Sequence, residues 1–97
     1  LGAFDISAYH ATGGVLATYA NLQAALGTNG ANIPDALRKG GMSVKFIQGS
    51  APSSDNKYVQ FRYLLKYENT PAGNAAFINT DNWAICADNF FTDTMCH

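Results

Sequence analysis

The chain has 97 residues, of which six are basic and seven acidic, giving a formal net charge of -1. Hydrophobic residues make up 47% of the chain and charged residues 13%, against about 25% charged in a typical protein. This balance excludes intrinsic disorder, and no stretch approaches the roughly 20 apolar residues of a membrane span. The length predicts a single domain over residues 1–97, and the first residue, Leu1 rather than methionine, indicates a module of a longer protein.

The basic residues are spread along the chain and form no stripe that would neutralise nucleic-acid phosphates, which argues against a nucleic-acid partner. They are Arg38, Lys39, Lys45, Lys57, Arg62 and Lys66.

The first half of the chain predicts a strand followed by short helices. Period-two alternation indicates a strand over residues 3–9. A helix is predicted over residues 19–26, with Thr18 as its N-cap and Gly27 as its stop. A second helical segment is predicted to begin at Pro34.

The second half predicts a hairpin. Alternating residues indicate strands over 42–47 and 58–67, joined by the polar loop 49–57. In the second strand Val59, Phe61, Tyr63 and Leu65 are predicted to face the core. A loop over 68–74, a third strand over 82–87 and a last element near Phe90 follow.

These elements predict an α+β fold. The expected architecture is a small antiparallel sheet of three to four strands, with one or two short helices packed on one face.

No sequence motif for nucleotide binding, metalloprotease chemistry or a nucleophile elbow is present. Asp5, Ser7 and His10 contain the residue types of a hydrolase triad, but nothing in the sequence fixes their geometry. The seven acids suggest no carboxylate pair of the kind that glycosidases need. The chain is therefore predicted to be non-catalytic.

Neither a metal nor another cofactor is predicted. His10, Cys86, Cys96 and His97 do not follow a zinc spacing, and the acidic turns lack the register of a calcium loop. The two cysteines favour free thiols in a reducing compartment, although an oxidising one would allow a disulfide between them.

Five residues are the candidates for binding. Aromatic rings on strands serve either as a sugar-stacking platform or partner surface, or as ordinary core and cross-strand pairs. The core interpretation is favoured for Trp83, while the strand-end tyrosines are open to either. Asp55 and Asn56 in the hairpin loop add hydrogen-bonding groups. The predicted binding residues are Tyr58, Tyr67, Trp83, Asp55 and Asn56.

Two stretches carry a resemblance to a known group of proteins: GGMSVKFIQ at residues 40–48 and SSDNKYVQFR at 53–62. They resemble a segment that recurs in large modular proteins of gut bacteria and their phages or prophages, many of which look like tail-fibre or related virion appendage proteins. FDISAY at 4–9 and YANLQAAL at 19–26 extend the resemblance to about residues 3–67. Residues 49–52 lengthen the hairpin loop relative to that pattern, and the C-terminal third diverges from it.

The resemblance implies a structural or interaction module of a tail fibre or similar appendage, which self-associates, with a trimer favoured, or contacts neighbouring fibre modules. Such a protein would be assembled in the bacterial host cytoplasm and end in the virion. One alternative is a carbohydrate-binding head domain that recognises surface polysaccharide. Another is a secreted or cell-surface adhesin module, which would carry a Cys86–Cys96 disulfide. In the adhesin and fibre cases alike, the role is adhesion or host attachment.

Overall fold

The computed structural model describes residues 2–50, 53 and 55–86. The element predicted near Phe90 lies outside these residues. In chain order the elements are β1 (Phe4–Asp5), α1 (Ile6–Tyr9), β2 (Thr18–Tyr19), α2 (Leu22–Leu26), β3 (Ser43–Gln48), β4 (Lys57–Tyr63), α3 (Pro71–Ile78) and β5 (Trp83–Ile85). Short 3₁₀ turns cover Thr28–Gly30, Asp35–Leu37 and Thr80–Asn82.

The α+β prediction is confirmed: a small sheet carries short helices. The predicted hairpin is present as the antiparallel pair β3–β4, and β5 continues the sheet antiparallel to β4. The sheet is mixed rather than wholly antiparallel, because β1 and β2 both pair with β3 in parallel. Those two short strands lie one after the other along the same edge of β3, so the described sheet has five strands.

The first predicted strand is shorter than expected, because the chain turns into α1 after Asp5. The Asp5 carboxylate accepts a hydrogen bond from the Ala8 backbone N–H (2.9 Å) and caps that helical turn. Leaving the strand at this point removes a ladder partner from β3. The hydroxyl of the buried Ser7 replaces it by accepting from the Ile47 N–H (2.8 Å).

The helix predicted from residue 19 begins three residues later, at Leu22. Its N-cap is Asn21, whose side chain accepts from the Ala24 N–H (2.9 Å), and not Thr18. Thr18 and its neighbour form β2 instead, where they pair with β3. The predicted stop at Gly27 is confirmed, with φ of 83°.

α3 begins within the predicted loop over 68–74, in a region for which the sequence predicts no helix. Thr70 caps it by accepting from the Gly73 N–H (3.1 Å), and Pro71 occupies the first turn. A side chain at Gly73 would overlap the Glu68 carbonyl oxygen, so this turn requires glycine.

The core lies between the helices and one face of the sheet. β3 contributes Val44 and Phe46, and β4 contributes Tyr63, all fully buried. Leu65, predicted to face the core, follows the end of β4 and is 44% exposed. The other buried apolar residues are Ile6, Leu22, Ala25, Leu26, Ile33, Phe77 and Trp83.

Candidate functional site

The face of the sheet opposite the helices is the first candidate surface, and we call it the open face. Strand register places one set of side chains there, because directly opposite residues of an antiparallel pair point the same way. None of them belongs to the core cluster. The open face comprises Ser43, Lys45, Ile47, Tyr58, Gln60, Arg62 and Ala84.

Tyr58 is the prominent side chain of the open face, with 45% of its surface exposed. Its hydroxyl donates to the Asp5 carboxylate (2.9 Å), and the Lys45 ammonium lies 5.5 Å from its ring centroid. These contacts span three strands, from β4 across β3 to β1. Partial burial, followed by the hydrogen bond to Asp5 and its negative charge, raises the pKa of Tyr58. The hydrogen bond to Asp5 also restrains the orientation of the ring.

A groove of about 540 Å³ lies at the hairpin-loop end of the sheet, and we call it the hairpin groove. Its apolar walls include Val15 and Leu16, which are 57% and 40% exposed. Ile47, which pairs with Tyr58 on the open face, also lines it, so the groove and the open face are continuous. Asn56 forms part of the rim.

A tight turn presents the two apolar residues. Thr12 and Val15 exchange both backbone hydrogen bonds (2.9 and 3.0 Å), and between them Gly13 and Gly14 have φ of 58° and 79°. Two consecutive positive φ angles define a type I′ hairpin turn, which glycine adopts without strain. Adjacent glycines are a recognised sequence signal for such a turn.

The five predicted binding residues do not form one site. Tyr58 lies on the open face, Asn56 at the rim of the hairpin groove, and Asp55 is an exposed neighbour of Asn56. Tyr67 instead lies against the helices, where its hydroxyl donates to Asn74 and its ring packs on Phe77.

Trp83 is a core residue, in agreement with the interpretation that the strand pattern favours. It is 7% exposed, and its indole N–H donates to the Phe77 carbonyl (2.8 Å). A ring this buried offers no face for a sugar, so Tyr58 is the exposed member of the three predicted aromatic residues.

Arg38 is the residue whose role the sequence does not reveal. It is 7% exposed, and its guanidinium donates to the carbonyls of Ile33 (2.9 Å) and Gly30 (2.8 Å) and to the Asn74 side chain (2.8 Å). The same group lies 4.9 Å from the Phe77 ring centroid. In the sequence Arg38 stands beside Lys39 after a short turn, a pattern typical of an exposed basic pair.

Asp5, Ser7 and His10, which have the residue types of a hydrolase triad, each bond to a different part of the structure. Ser7 bonds the backbone of β3, and Asp5 caps α1 and accepts from Tyr58. The His10 ring bonds the Asn32 carbonyl through Nε2 (2.8 Å). They do not form a nucleophile–base–acid chain.

Within residues 2–50, 53 and 55–86, no three His, Cys, Asp or Glu side chains come together as a set of metal ligands. None of the helices in the described part of the chain combines the length and apolar content that crossing a bilayer requires. Cys86 is disulfide-bonded, so the free-thiol interpretation is wrong for this residue. That interpretation depended on a reducing compartment, which residue spacing does not determine. Cys96 lies outside the described residues.

Comparison of the chain with protein-family models, with curated proteins and with solved structures found no match.

Proposed function

We propose that this chain is a non-catalytic interaction module of a phage tail fibre or similar virion appendage, and that it binds a neighbouring chain of the same assembly. The observation that carries the proposal is the continuous surface formed by the open face and the hairpin groove. The resemblance of residues 3–67 to appendage proteins gives this surface its biological setting. Assembly in the reducing cytoplasm of the bacterial host would precede formation of the disulfide at Cys86, which fits a chain that later reaches an oxidising environment.

The chemistry of the hairpin groove suits a protein partner. Val15 and Leu16 follow the two-glycine turn and are exposed to water, next to the apolar side chain of Ile47. Burying such side chains against another chain is favourable by roughly 25 cal/mol for each Å² of apolar surface removed from water. A low overall charge, 13% of residues, also suits a domain that shares part of its surface.

Tyr58 has the properties of an interface anchor. Tyrosine is enriched at binding hot spots because it supplies a large ring with few rotatable bonds. Here Asp5 and Lys45 already restrain the ring, so association would cost little additional side-chain entropy. Charged residues of the open face, such as Lys45 and Arg62, would form a polar surround.

The test is the solution mass of the chain, measured by light scattering over a range of concentrations. We expect self-association, with a trimer favoured, and expect Leu16→Asp to abolish it by placing a charge in the apolar groove. Leu37→Asp is the matched control. Leu37 is 39% exposed, nearly the same as Leu16 at 40%, but lies outside the open face and the groove.

Two results would overturn the proposal. The first is a monomer at every concentration, both for the chain alone and after mixing with neighbouring modules of the parent protein. The second is an assembly that survives Leu16→Asp while Leu37→Asp disrupts it. Unfolding of both variants in urea shows whether each still folds, since surface substitutions normally change stability by less than about 0.5 kcal/mol.

A further inference from the structure

A second groove, of about 640 Å³, lies on the helix side of the molecule, and we call it the α2 groove. It runs from the N-cap of α2 past the turn that follows this helix to the last residue of α3. Its volume falls within the range of about 300–1,000 Å³ that is typical of small-molecule sites. Its polar lining is Asn21, Gln23, Thr28 and Asn29, and Leu26 and Ile78 are among its apolar residues.

The turn that forms one wall of the α2 groove is firmly held. Its Gly30 carbonyl accepts from the buried Arg38 guanidinium (2.8 Å), and the Gly30 N–H donates to the Gly27 carbonyl (3.0 Å). Gly27 has φ of 83° and packs directly against the Asn32 side chain, which itself donates to the Ala25 carbonyl (3.0 Å). The wall is therefore preorganised, and a ligand would not have to order it.

The groove's hydrogen-bonding groups are available. The side chains of Gln23, Thr28 and Asn29 form no hydrogen bond with any other described residue. Asn29 has φ of 54°, the left-handed conformation, and is the single non-glycine residue with positive φ in the described part of the chain. Asparagine adopts this conformation more readily than most other non-glycine residues, so Asn29 suits the turn at the groove's edge.

We infer that the α2 groove binds a neutral sugar. None of its lining residues is charged, so an ionic ligand would gain no ion pair there. Carboxamides and a hydroxyl supply donors and acceptors together, which matches sugar hydroxyls that act as both. The exposed Ala24 and the partly buried Ile78 provide apolar surface for the carbon-bound hydrogens of a sugar ring.

A peptide fits the α2 groove less well than a sugar does. Helix and turn residues line the groove, so it offers no strand edge for backbone pairing. Leu26 is 1% exposed and leaves no deep apolar pocket for an anchoring side chain. The inference does not depend on the proposed assembly role, because the α2 groove shares no lining residue with the open face or the hairpin groove.

The test uses two-dimensional NMR of the ¹⁵N-labelled chain during titration with glucose, galactose, N-acetylglucosamine and a neutral hexose oligosaccharide. We expect at least one of them to give saturable shifts confined to the backbone amides of residues 21–29 and 78 and to the side-chain amides of Gln23 and Asn29. Removing the polar groups with the triple variant Gln23→Met, Thr28→Val, Asn29→Gly should weaken binding by at least about tenfold. Each lost hydrogen bond is worth about two- to tenfold in affinity.

The triple variant keeps the shape of two side chains, and glycine suits the backbone of position 29. An unchanged urea midpoint confirms that it folds. Gln60→Met, the same chemical change on the open face, is the matched control and should bind sugar like the parent chain. No saturable shift from any of the four probes would overturn the inference. So would shifts centred on Tyr58, or a triple variant that binds as the parent does.

Discussion

On the helix-covered face of the sheet, Tyr63 is fully buried against the rings of Phe77 and Trp83, whose centroids lie 4.9 and 5.0 Å from its own. On the open face, five residues earlier in the same strand, Tyr58 keeps 45% of its surface exposed. The hydroxyl of Tyr58 has Asp5 as its partner, whereas the buried hydroxyl of Tyr63 has none among the described residues. The same residue type thus contributes packing on one face and a polar, oriented ring on the other.

The two faces also place a cation beside an aromatic ring. Arg38 lies 4.9 Å from the Phe77 centroid and is buried, with backbone and side-chain acceptors around it. Lys45 lies 5.5 Å from the Tyr58 centroid on the open face. Because water screens an exposed charge, the first contact should matter for stability far more than the second. We infer that contacts on the covered face supply most of the stability. Residues of the open face can therefore be substituted to suit a partner without unfolding the chain.

The largest expected effect is the loss of the ring at the centre of the covered face. Phe77→Ala removes a fully buried side chain that contacts Tyr63, Trp83 and Arg38, and should lower the free energy of unfolding by about 3–5 kcal/mol. Urea denaturation measures this. Ile47→Ala, on the open face, should cost less than about 2 kcal/mol because Ile47 is only partly buried. Equal losses from the two would contradict the concentration of stability on the covered face.

The next largest effect is the difference in stability between removing Arg38 and removing Lys45. Arg38→Met should cost about 3 kcal/mol, because the Ile33 and Gly30 carbonyls and the Asn74 side chain lose a charged donor inside the protein. Lys45→Met removes an exposed charge and should change stability by less than about 1 kcal/mol. Both variants are compared by urea midpoint. A cost for Lys45→Met as large as that for Arg38→Met would show that the open face is a second stabilising region.

A third effect appears at alkaline pH. Burial, with a smaller contribution from Tyr67, raises the pKa of Tyr63 above its usual value of about 10, so the unfolded chain ionises first as pH rises. The stability associated with the protonated phenol is complete below pH 10 and is lost as pH rises through the folded-state pKa. Urea midpoints measured from neutral to about pH 11 should therefore fall, and Tyr63→Phe should reduce that fall. Tyr9→Phe, at an exposed tyrosine, is the control, and an equal reduction from it would argue against Tyr63.

The smallest effect compares one substitution on both faces at neutral pH. Tyr63→Phe removes a buried hydroxyl that has no described partner and should leave stability unchanged or raise it by up to about 1 kcal/mol. Tyr58→Phe removes the bond to Asp5 and should lower it by about 0.5 kcal/mol. If the two substitutions change the free energy of unfolding in opposite directions, as measured by urea denaturation, the comparison is supported. A clear loss from Tyr63→Phe would instead indicate a partner for its hydroxyl, such as an ordered water.

Local sequence patterns predicted much of the sheet and little of the candidate sites. The alternation over 42–47 and 58–67 is strong, so the β3–β4 hairpin and the inward direction of Tyr63 followed from it. α3 was missed because its eight residues, PAGNAAFI, bury only Phe77 and have no clear apolar stripe, although Thr70-Pro71 is a recognised start signal. The hairpin groove brings residues between 14 and 18 together with Ile47, Ser53 and Asn56, and the α2 groove brings residues between 21 and 29 together with Ile78. No local pattern predicts such pairings.

The sequence by itself determined the α+β class, the central hairpin, the stop of α2 at Gly27 and the core position of Trp83. Each depends on a few adjacent residues whose backbone preferences and apolar spacing agree. Only the tertiary structure decided that β1 and β2 pair in parallel with β3 and that Arg38 is buried. It also decided that Tyr58 lies on the open face while Tyr67 does not. Those outcomes depend on hydrogen bonds and ring contacts between residues far apart in the chain, which local sequence patterns do not specify.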